Sequence, residues 1–136
     1  MFMRNHKYKI SPPEERKYLG RTFGSKAEMR YCQNLQLLVE GNALEDYVCQ
    51  PKVWLGVPEN IYVPDFLVIP KEELPYYVDV KGMETQKFKR DKKLWASYGR
   101  LPLVIVKESS PGKFKTKEVI CERGNGSSSN INVGRQ

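Results

Sequence analysis

The sequence has little that would support a zinc site, a disulfide framework or a membrane span. Its 136 residues include three cysteines and a single histidine, His6. The cysteines are widely spaced and none forms a CxxC pair, which argues against structural zinc and a disulfide-stapled fold. No apolar run approaches the length of about 18 residues typical of a transmembrane helix, and the start MFMRNHKYKI is too polar for a secretory signal. We therefore expect a soluble cytoplasmic protein with reduced thiols and no membrane partner.

Acidic residues are scarce relative to basic ones. The chain carries 23 Lys and Arg against 16 Asp and Glu, for a formal net charge of +7. A polyanion is the simplest partner for such a surface, and nucleic acid is the first candidate. Charge alone does not decide this, because many basic proteins bind no polyanion specifically. The hydrophobic fraction of 40% fits one packed domain in a chain of this length.

Composition divides the chain into three parts. Residues 1–22 are basic and polar and contain Pro12-Pro13, which predicts a mobile N-terminal arm that either closes on a phosphate backbone or stays solvated. Residues 23–123 are predicted to form the folded domain. Residues 124–136 are rich in Gly, Ser and Asn and contain too few apolar side chains to pack, so we expect this tail to be disordered.

Hydrophobic periodicity predicts two helices and at least four strands. Apolar residues recur at steps of three and four from Ser25 to about Glu40, and again from about Glu84 to Tyr98, with Gly41 and Gly99 as terminators. Three strand-like runs follow the first helix, at about Tyr47–Leu55, Ile61–Ile69 and Tyr76–Lys81. The second helix is followed by a run at Leu101–Val106 and a weak one at Glu118–Cys121. The order α-β-β-β-α-β predicts an α/β or α+β domain with a central mixed sheet of four to five strands flanked by helices.

Three charged side chains interrupt the strand-like runs VPDFLVI and VDVKG. Asp79 and Lys81 are two residues apart, so in a strand they project from the same face, and a hairpin would bring Asp65 opposite or diagonal to Asp79. Two close carboxylates repel each other unless a cation lies between them. A divalent ion bound by these acids is one interpretation. The other is an ordinary salt bridge with Lys81 at a solvated strand end.

The first interpretation predicts hydrolysis of phosphodiester bonds. Magnesium prefers oxygen ligands and accepts one or two carboxylates together with water molecules. A neighbouring lysine such as Lys81 can orient a water, help remove its proton, or offset negative charge that develops on the phosphate. A basic surface, a carboxylate-bound ion and an ammonium group together suit metal-assisted cleavage of nucleic acid.

The dipeptide Pro64-Asp65 followed by Asp79-Val80-Lys81 resembles the PD…(D/E)xK signature of the restriction-endonuclease-like nuclease superfamily. The predicted element order from Phe23 to Val106 is similar to the core that this superfamily shares. Within this superfamily, the segments FGSKAE, QPK, YVPDF and VDVKGMET resemble those of a phage-borne family related to archaeal-type Holliday junction resolvases.

The resemblance implies roles for four residues. Asp65 and Asp79 would hold one or two Mg²⁺ ions, for which Mn²⁺ would substitute, and Lys81 would assist the attacking water. Glu28 matches an additional acid that completes the metal site in resolvase-like members. Glu28 has a second interpretation, because Ser25-Lys26-Ala27-Glu28 is also a capping-box pattern at the helix start. Many resolvases have Glu where Asp79 stands, and this difference leaves the number of ions open.

Further residues carry two interpretations each. Ser25 either matches a loop serine that some resolvases use near the scissile phosphate, as the resemblance implies, or is the helix N-cap. Gln50 either faces the site or pairs at a sheet edge, and Glu84 is either a further acid or an ordinary first-turn Glu. The basic side chains predicted to contact DNA, if they are not simply solvated, are Lys87, Lys89, Arg90, Lys92 and Lys93 of the second helix together with Arg21 and Lys26.

The sequence therefore predicts a metal-dependent endonuclease of branched DNA, similar to Holliday junction resolvases and encoded by a phage or prophage for use in the bacterial cytoplasm. Cutting two strands of opposite polarity at a four-way junction suits a homodimer. The aromatic candidates for an exposed dimer surface are Trp54, Tyr62, Tyr76 and Tyr77, although each such side chain is more often part of the core. Two alternatives remain open: a general, flap or nicking DNA endonuclease, and a non-catalytic DNA-binding recombination accessory protein.

Overall fold

The structure, a computed structural model, describes residues 10–121. The first nine residues of the predicted arm and the predicted disordered tail, 124–136, lie outside this range. The described part contains two helices, α1 (Lys26–Glu40) and α2 (Gln86–Tyr98), and nine strands: β1 (Lys17–Tyr18), β2 (Arg21–Thr22), β3 (Asp46–Cys49), β4 (Val53–Trp54), β5 (Ile61–Tyr62), β6 (Phe66–Ile69), β7 (Tyr76–Val80), β8 (Leu103–Ser110) and β9 (Lys113–Ile120). Neither helix is long and apolar enough to cross a membrane.

A mixed five-stranded sheet forms the centre of the domain, with strand order β3-β6-β7-β8-β9. All neighbouring strands are antiparallel except β7 and β8, which are parallel and are joined through α2. A parallel pair needs such a crossover, because a short turn cannot return the chain to the same end of the sheet. The predicted α+β class and the order α-β-β-β-α-β are confirmed, and β9 adds the fifth strand.

Local capping explains where both helices begin. The Ser25 hydroxyl accepts a hydrogen bond of 3.1 Å from the Glu28 N–H, and the Thr85 hydroxyl accepts one of 3.1 Å from the Phe88 N–H. These bonds satisfy amides that the first helical turn leaves without partners. Because Thr85 is the N-cap, α2 starts two residues later than the predicted Glu84.

Each helix covers one face of the sheet with its own hydrophobic core. On the α1 face the largest core side chains include Tyr31, Leu35 and Phe66, whereas Trp95 and Ile105 lie in the core on the α2 face. Since alternate side chains of a strand point to opposite faces, a strand covered on both sides is apolar at every position. The continuous run at the start of β8 is buried in this way.

Two predicted strands are each broken into two. The predicted strand Tyr47–Leu55 is β3 and β4, because Gln50 has a φ of 53° and Pro51 follows it, and neither suits a continuous ladder. The predicted strand Ile61–Ile69 is β5 and β6, separated at Val63–Asp65. The short strands β4 and β5 pair with each other in a separate antiparallel ribbon.

The C-terminal strand is longer than the predicted Glu118–Cys121. It spans Lys113–Ile120 and forms a hairpin with β8 through a turn at Gly112, which has a φ of 80°. Most of its side chains are exposed and many are lysines, as expected of a protected edge strand, so its hydrophobic pattern is weak. The hairpin is tied to α1 by two hydrogen bonds from Arg30 to Glu108, of 2.6 and 2.9 Å.

The described part of the predicted N-terminal arm is folded. A 3-10 turn at Pro13–Glu15 leads into the β1–β2 hairpin, whose Tyr18 packs against the core on the α1 face. The Arg16 side chain donates to the Phe23 carbonyl, and the Phe23 N–H donates to the Arg16 carbonyl at 3.0 Å. The Arg16–Phe23 bonds close the base of the hairpin, and Tyr18 holds it against the core, which composition alone did not indicate.

Candidate active site

The β6–β7 pair brings Asp65 and Asp79 together. Phe66 pairs with Val78 in the ladder, so the preceding Asp65 lies across from Asp79. The Asp65 N–H donates to Asp79 Oδ1 at 2.9 Å, and the Val80 N–H donates to Asp65 Oδ2 at 2.7 Å. Each carboxylate is therefore held by the backbone of the opposite strand, and neither can rotate without losing a hydrogen bond.

Asp79 is almost fully enclosed, with 1% of its surface exposed. The Tyr62 hydroxyl donates a hydrogen bond to Asp79 Oδ2. Lys81 Nζ lies 4.0 Å from the same oxygen and 4.5 Å from the centre of the Phe88 ring. Asp79 on β7 and Lys81 just after it thus lie on the same side of the sheet, as the spacing predicts. The ion pair of the alternative interpretation is present, but its acid is buried and not at a solvated strand end.

The charge of Lys81 acts on all three acids, Glu28, Asp65 and Asp79. Burial is the main reason that the pKa of Asp65 is well above its usual value, and the charges of Asp79 and Glu28 raise it further. Burial also raises the pKa of Asp79, while Lys81 and the Tyr62 hydrogen bond act in the opposite direction. The protein therefore stabilises the negative charge of this cluster incompletely.

Glu28 takes part in the helix cap and also lies within electrostatic range of the acids. Its Oε1 accepts a hydrogen bond of 3.2 Å from the Gly24 N–H, and its own N–H donates to Ser25. The N-cap interpretation of Ser25 is thus the one observed. Burial raises the pKa of Glu28, the Gly24 hydrogen bond and the charge of Lys81 oppose this, and the charge of Asp79 adds to it. Capping and proximity to the site are compatible.

The donor set can be tested against a divalent ion. Among the described residues, no three His, Cys, Asp or Glu side chains form a group that could hold a metal ion. The Asp79 carboxylate accepts from the Asp65 backbone, and Asp65 Oδ1 accepts no hydrogen bond from residues 10–121. Two carboxylates completed by water suit Mg²⁺, which seldom has a ligand shell made wholly of protein atoms. The pair fits such an ion, whereas Glu28 does not join it as a third ligand in this arrangement.

Comparison with known proteins identifies the family. The family described as "Protein of unknown function (DUF1064)" matches residues 6–110, more than three quarters of the chain. The chain belongs to the DUF1064 family. The match contains Glu28, Asp65, Asp79 and Lys81 and ends at the last residue of β8, so β9 lies outside it. Comparison with curated proteins gives no match.

Gln50 and Glu84, two accessory candidates of this DUF1064 chain, do not use their side chains at the carboxylate pair. Gln50 is exposed, and only its backbone is engaged, with its N–H donating to the Asp65 carbonyl at 2.9 Å. Glu84 accepts a hydrogen bond of 2.9 Å from Lys92 Nζ, and this contact lowers the pKa of Glu84. Among the described residues, neither side chain contacts Asp65 or Asp79.

The basic residues of the DUF1064 chain separate into paired and unpaired groups. Lys92 contacts both Glu84 and Glu118, at 2.9 and 3.0 Å, so its charge is largely compensated. Other ion pairs join Lys87 to Asp91 at 2.8 Å and Lys26 to Glu15 at 3.0 Å. The candidates that are exposed and make no ion pair within residues 10–121 are Lys89, Arg90, Lys93 and Arg21.

Two site residues were not predicted from the sequence. Tyr62 contacts Asp79 although the two are separated in the chain, and no local pattern indicates such a contact. Asp91 is buried on α2, and its charge contributes to the raised pKa of Asp79. The signal for Asp91 was present, since this acid stands three residues after Phe88 and four before Trp95, on the apolar stripe of the helix.

The aromatic residues predicted as an exposed dimer surface are mostly internal. Tyr62 and Tyr76 are buried, and the half-buried Tyr77 packs edge-on against Trp95 with 5.2 Å between ring centres. Only Trp54 is exposed, at 56% of its surface. The other three fill the core because they lie on β5 and β7, which the helices cover.

Proposed function

We propose that this DUF1064 protein is a divalent-metal-dependent DNA endonuclease. The observation that carries the proposal is the pair of Asp65, which is half-buried, and Asp79, which is buried. Both are fixed by backbone hydrogen bonds, and Lys81, the residue after β7, lies 4.0 Å from Asp79. Burial of carboxylates without full compensation costs stability, and such sites are concentrated at functional centres. The resemblance of Pro64-Asp65 and Asp79-Val80-Lys81 to the nuclease signature supports the same conclusion.

Asp65 and Asp79 would hold the metal, as one or two Mg²⁺ or Mn²⁺ ions, with Glu28 adding negative charge close by. A bound divalent ion of this kind polarises a phosphate oxygen and makes a neighbouring water a better nucleophile. The raised pKa values of both aspartates supply a reason for binding, because a cation would compensate charge that Lys81 compensates only in part.

The remaining groups of the site would position the reactants. The Tyr62 hydroxyl holds Asp79 Oδ2 in place, so that the carboxylate keeps one orientation. The Phe88 ring lies 4.5 Å from Lys81 Nζ and supports the ammonium group beside the acids. From there Lys81 would orient a water or offset the negative charge that develops on the phosphate during attack.

The proposed substrate is branched DNA, and a Holliday junction is the first candidate. Lys89, Arg90 and Lys93 are exposed and make no ion pair with the described residues, and they would contact phosphates without reading base sequence. A homodimer would present two sites to strands of opposite polarity. The resemblance to archaeal-type resolvases supports the junction, whereas the chemistry of the site suits any DNA phosphodiester.

Cleavage of a labelled synthetic four-way junction and a matched linear duplex tests the proposal. We expect the wild type to make paired symmetric cuts in the junction with Mg²⁺ and none with EDTA. Asp79→Asn should reduce the rate by about 100-fold or more, because it removes a metal-binding charge. Asp46→Asn is the matched control, since Asp46 is an exposed acid on β3 and should leave the rate unchanged.

The other outcomes separate the alternatives. Equal cutting of junction and duplex would support a nuclease without junction preference, and flap or nicked substrates would then be compared. Tight DNA binding without cutting under Mg²⁺ or Mn²⁺ would contradict the endonuclease and favour the accessory DNA-binding protein. Cutting by Asp79→Asn at the wild-type rate would show that the carboxylate pair is not the catalytic centre.

A further inference from the structure

An open groove lies between the β4–β5 ribbon and the end of α2. It has a volume of about 580 Å³ and is lined by Trp54, Gly56, Val57, Pro58, Tyr98 and Arg100. Trp54 and Tyr98 are both more than half exposed, at 56% and 51%. Gly56 has a φ of 88°, and a Cβ built there would lie 3.1 Å from the Tyr98 ring, so a glycine allows the ribbon to approach this ring.

The lining of the groove combines aromatic faces with one positive charge. Trp54 and Tyr98 supply the aromatic rings and Arg100 supplies a guanidinium group, and none of the lining residues within 10–121 is Asp or Glu. Aromatic side chains stack on unpaired nucleobases of any identity, and a nearby guanidinium contacts the phosphate or stacks as well. Exposing such large aromatics to water is unfavourable, so a contiguous patch of this kind indicates a binding surface.

The groove is connected to the carboxylate pair through the same structural elements. In the β4–β5 ribbon Trp54 pairs with Ile61, and the next residue, Tyr62, donates its hydroxyl hydrogen to Asp79. Phe88 of α2 contacts Lys81, and Tyr98 is ten residues further along the same helix. At the helical rise of 1.5 Å per residue, the two aromatic residues are about 15 Å apart along the helix axis. That separation corresponds to about four or five nucleotides of a DNA strand at 3.4 Å each.

We propose that the groove between Trp54 and Tyr98 binds an unpaired nucleobase of a DNA strand that leads to Asp79. The preferred substrate would then carry unpaired nucleotides a few positions from the cleaved bond, as a flap, gap or opened branch point does. This inference rests on the proposed endonuclease for its functional meaning, although the binding itself is testable without cleavage.

A second copy of the chain fits the groove less well. In a two-fold contact the same patch meets itself, so each Arg100 would face a lining that contains a positive charge and no carboxylate. A negatively charged strand with stackable bases complements both the aromatic rings and the charge. The two occupants predict different results in solution and can be separated by experiment.

Tryptophan fluorescence reports on this groove selectively. The chain has two tryptophans, and Trp95 is fully buried with its Nε1–H bonded to the Leu101 carbonyl at 2.9 Å. Quenching on addition of a nucleic acid would therefore arise at Trp54. In EDTA, where no cutting is expected, we expect a short oligothymidylate to quench the wild-type emission, and a blunt duplex of equal length to quench it much less.

Binding of the same labelled oligothymidylate is then measured by fluorescence anisotropy for variants. Trp54→Ala should weaken binding about 10-fold, the loss expected when one stacked base loses its partner. Leu37→Ala is the matched control, because Leu37 is 65% exposed on α1 and lies outside the groove. Its affinity should equal that of the wild type.

Three results would overturn the inference: absence of quenching, equal affinity of Trp54→Ala and wild type, or a wild-type dimer in light scattering that Trp54→Ala converts to a monomer. The last would assign the groove to a subunit contact. The same experiments separate failure of the two proposals. If the wild type cuts DNA while Trp54→Ala binds normally, only the proposed base-binding groove is contradicted. If nothing is cut but Trp54→Ala loses binding, only the proposed endonuclease activity is contradicted.

Discussion

The burial of Asp79 dominates the energetics of the candidate site. Asp79 and Asp91 are the two charged side chains that the described part of the chain buries. An isolated charge in such a position costs several kcal/mol, and hydrogen bonds offset part of that cost. Asp79 receives one hydrogen bond from the Asp65 backbone and one from Tyr62, with Lys81 at 4.0 Å. This arrangement costs stability, and the proposed metal ion would compensate the remaining negative charge.

Tyr62→Phe should move the pH dependence of cutting upward. The Tyr62 hydrogen bond is one of the contacts that favour the ionised form of Asp79, so its loss raises the pKa of Asp79 further. At a given pH a larger fraction of Asp79 is then protonated and cannot bind the proposed metal. The pH of half-maximal Mg²⁺-dependent cutting therefore rises, with a rate loss of about 10-fold or more at neutral pH.

The control for this change is Tyr77→Phe. Tyr77 belongs to the same aromatic cluster, and its hydroxyl makes no hydrogen bond within residues 10–121. Its pH profile should match that of the wild type. An unchanged profile for Tyr62→Phe as well would show that the Tyr62 hydroxyl does not tune the site.

Asp65→Asn should stabilise the metal-free protein at neutral pH. The pKa of Asp65 is raised well above the ordinary value of 3.8, so the folded state binds the proton more tightly than the unfolded chain. The wild type therefore loses stability as the pH rises from about 4 through the raised pKa, whereas Asn does not ionise. We expect Asp65→Asn to gain about 1 to 3 kcal/mol at pH 7 and little at pH 3.

Urea unfolding in EDTA across this pH range measures the difference. Adding Mg²⁺ should then stabilise the wild type and leave Asp65→Asn unchanged, since only the former retains both carboxylates. A variant that is less stable than the wild type at every pH would contradict the view that Asp65 carries a destabilising charge.

Helix α2 links the sheet, the carboxylate pair and the groove. Its Phe88 contacts Lys81, its Trp95 packs against Tyr62 and Tyr77, and its last residue, Tyr98, lines the groove. The position of the helix therefore affects both proposed binding surfaces. Its C-terminal end is tightly constrained, because Gly99 lies directly against the indole of Trp95.

Gly99→Ala should destabilise the protein by about 1 to 3 kcal/mol. A Cβ at this position would lie 2.4 Å from Trp95 Nε1, and the fully buried indole, which also donates to the Leu101 carbonyl, cannot move aside easily. Thermal unfolding measures the effect. Gly82→Ala is the matched control, since a Cβ there meets nothing within 4 Å; equal melting temperatures of the two variants would contradict the steric explanation.

The distribution of charge over the molecule determines how DNA would bind. Although the net charge is +7, several predicted DNA contacts are compensated within the protein, and Lys92 is the clearest case because it contacts two glutamates. The exposed side chains of Lys89, Arg90 and Lys93 retain their charge for a partner. Affinity for DNA should therefore depend on this face of α2 more than on total charge.

A triple variant in which Gln replaces Lys89, Arg90 and Lys93 should bind DNA more weakly, and by a similar factor for any DNA sequence. Each lost phosphate contact reduces the magnitude of the slope of log affinity against log salt concentration by about 0.9. Loss of three contacts should therefore make the slope of the triple variant smaller by about 2 to 3. Titrations of duplex DNA at several salt concentrations measure it. Replacing Lys107, Lys113 and Lys115 of the β8–β9 hairpin removes the same charge and should leave the slope nearly unchanged; equal effects would indicate a non-specific charge effect.

Much of the fold could be predicted from local patterns. The limits of α1 and the end of α2 follow from capping residues and apolar spacing, and the common face of Asp79 and Lys81 follows from the two-residue period of a strand. These features depend on interactions between residues that are close in the chain, so the sequence itself indicates them. The proximity of Asp65 to Asp79 was predicted for the same reason, since a short connection between strands leaves few registers.

Contacts between distant segments were decided by the tertiary structure. The hydrogen bond from Tyr62 to Asp79, the pairing of Lys92 with Glu118, and the attachment of the β1–β2 hairpin to the domain all join residues whose local sequence carries no sign of the partner. The amino-acid order thus specified the helices and the strand faces through short-range geometry. Which charges are buried, paired or left exposed depends on long-range packing, and only the folded chain brings those groups together.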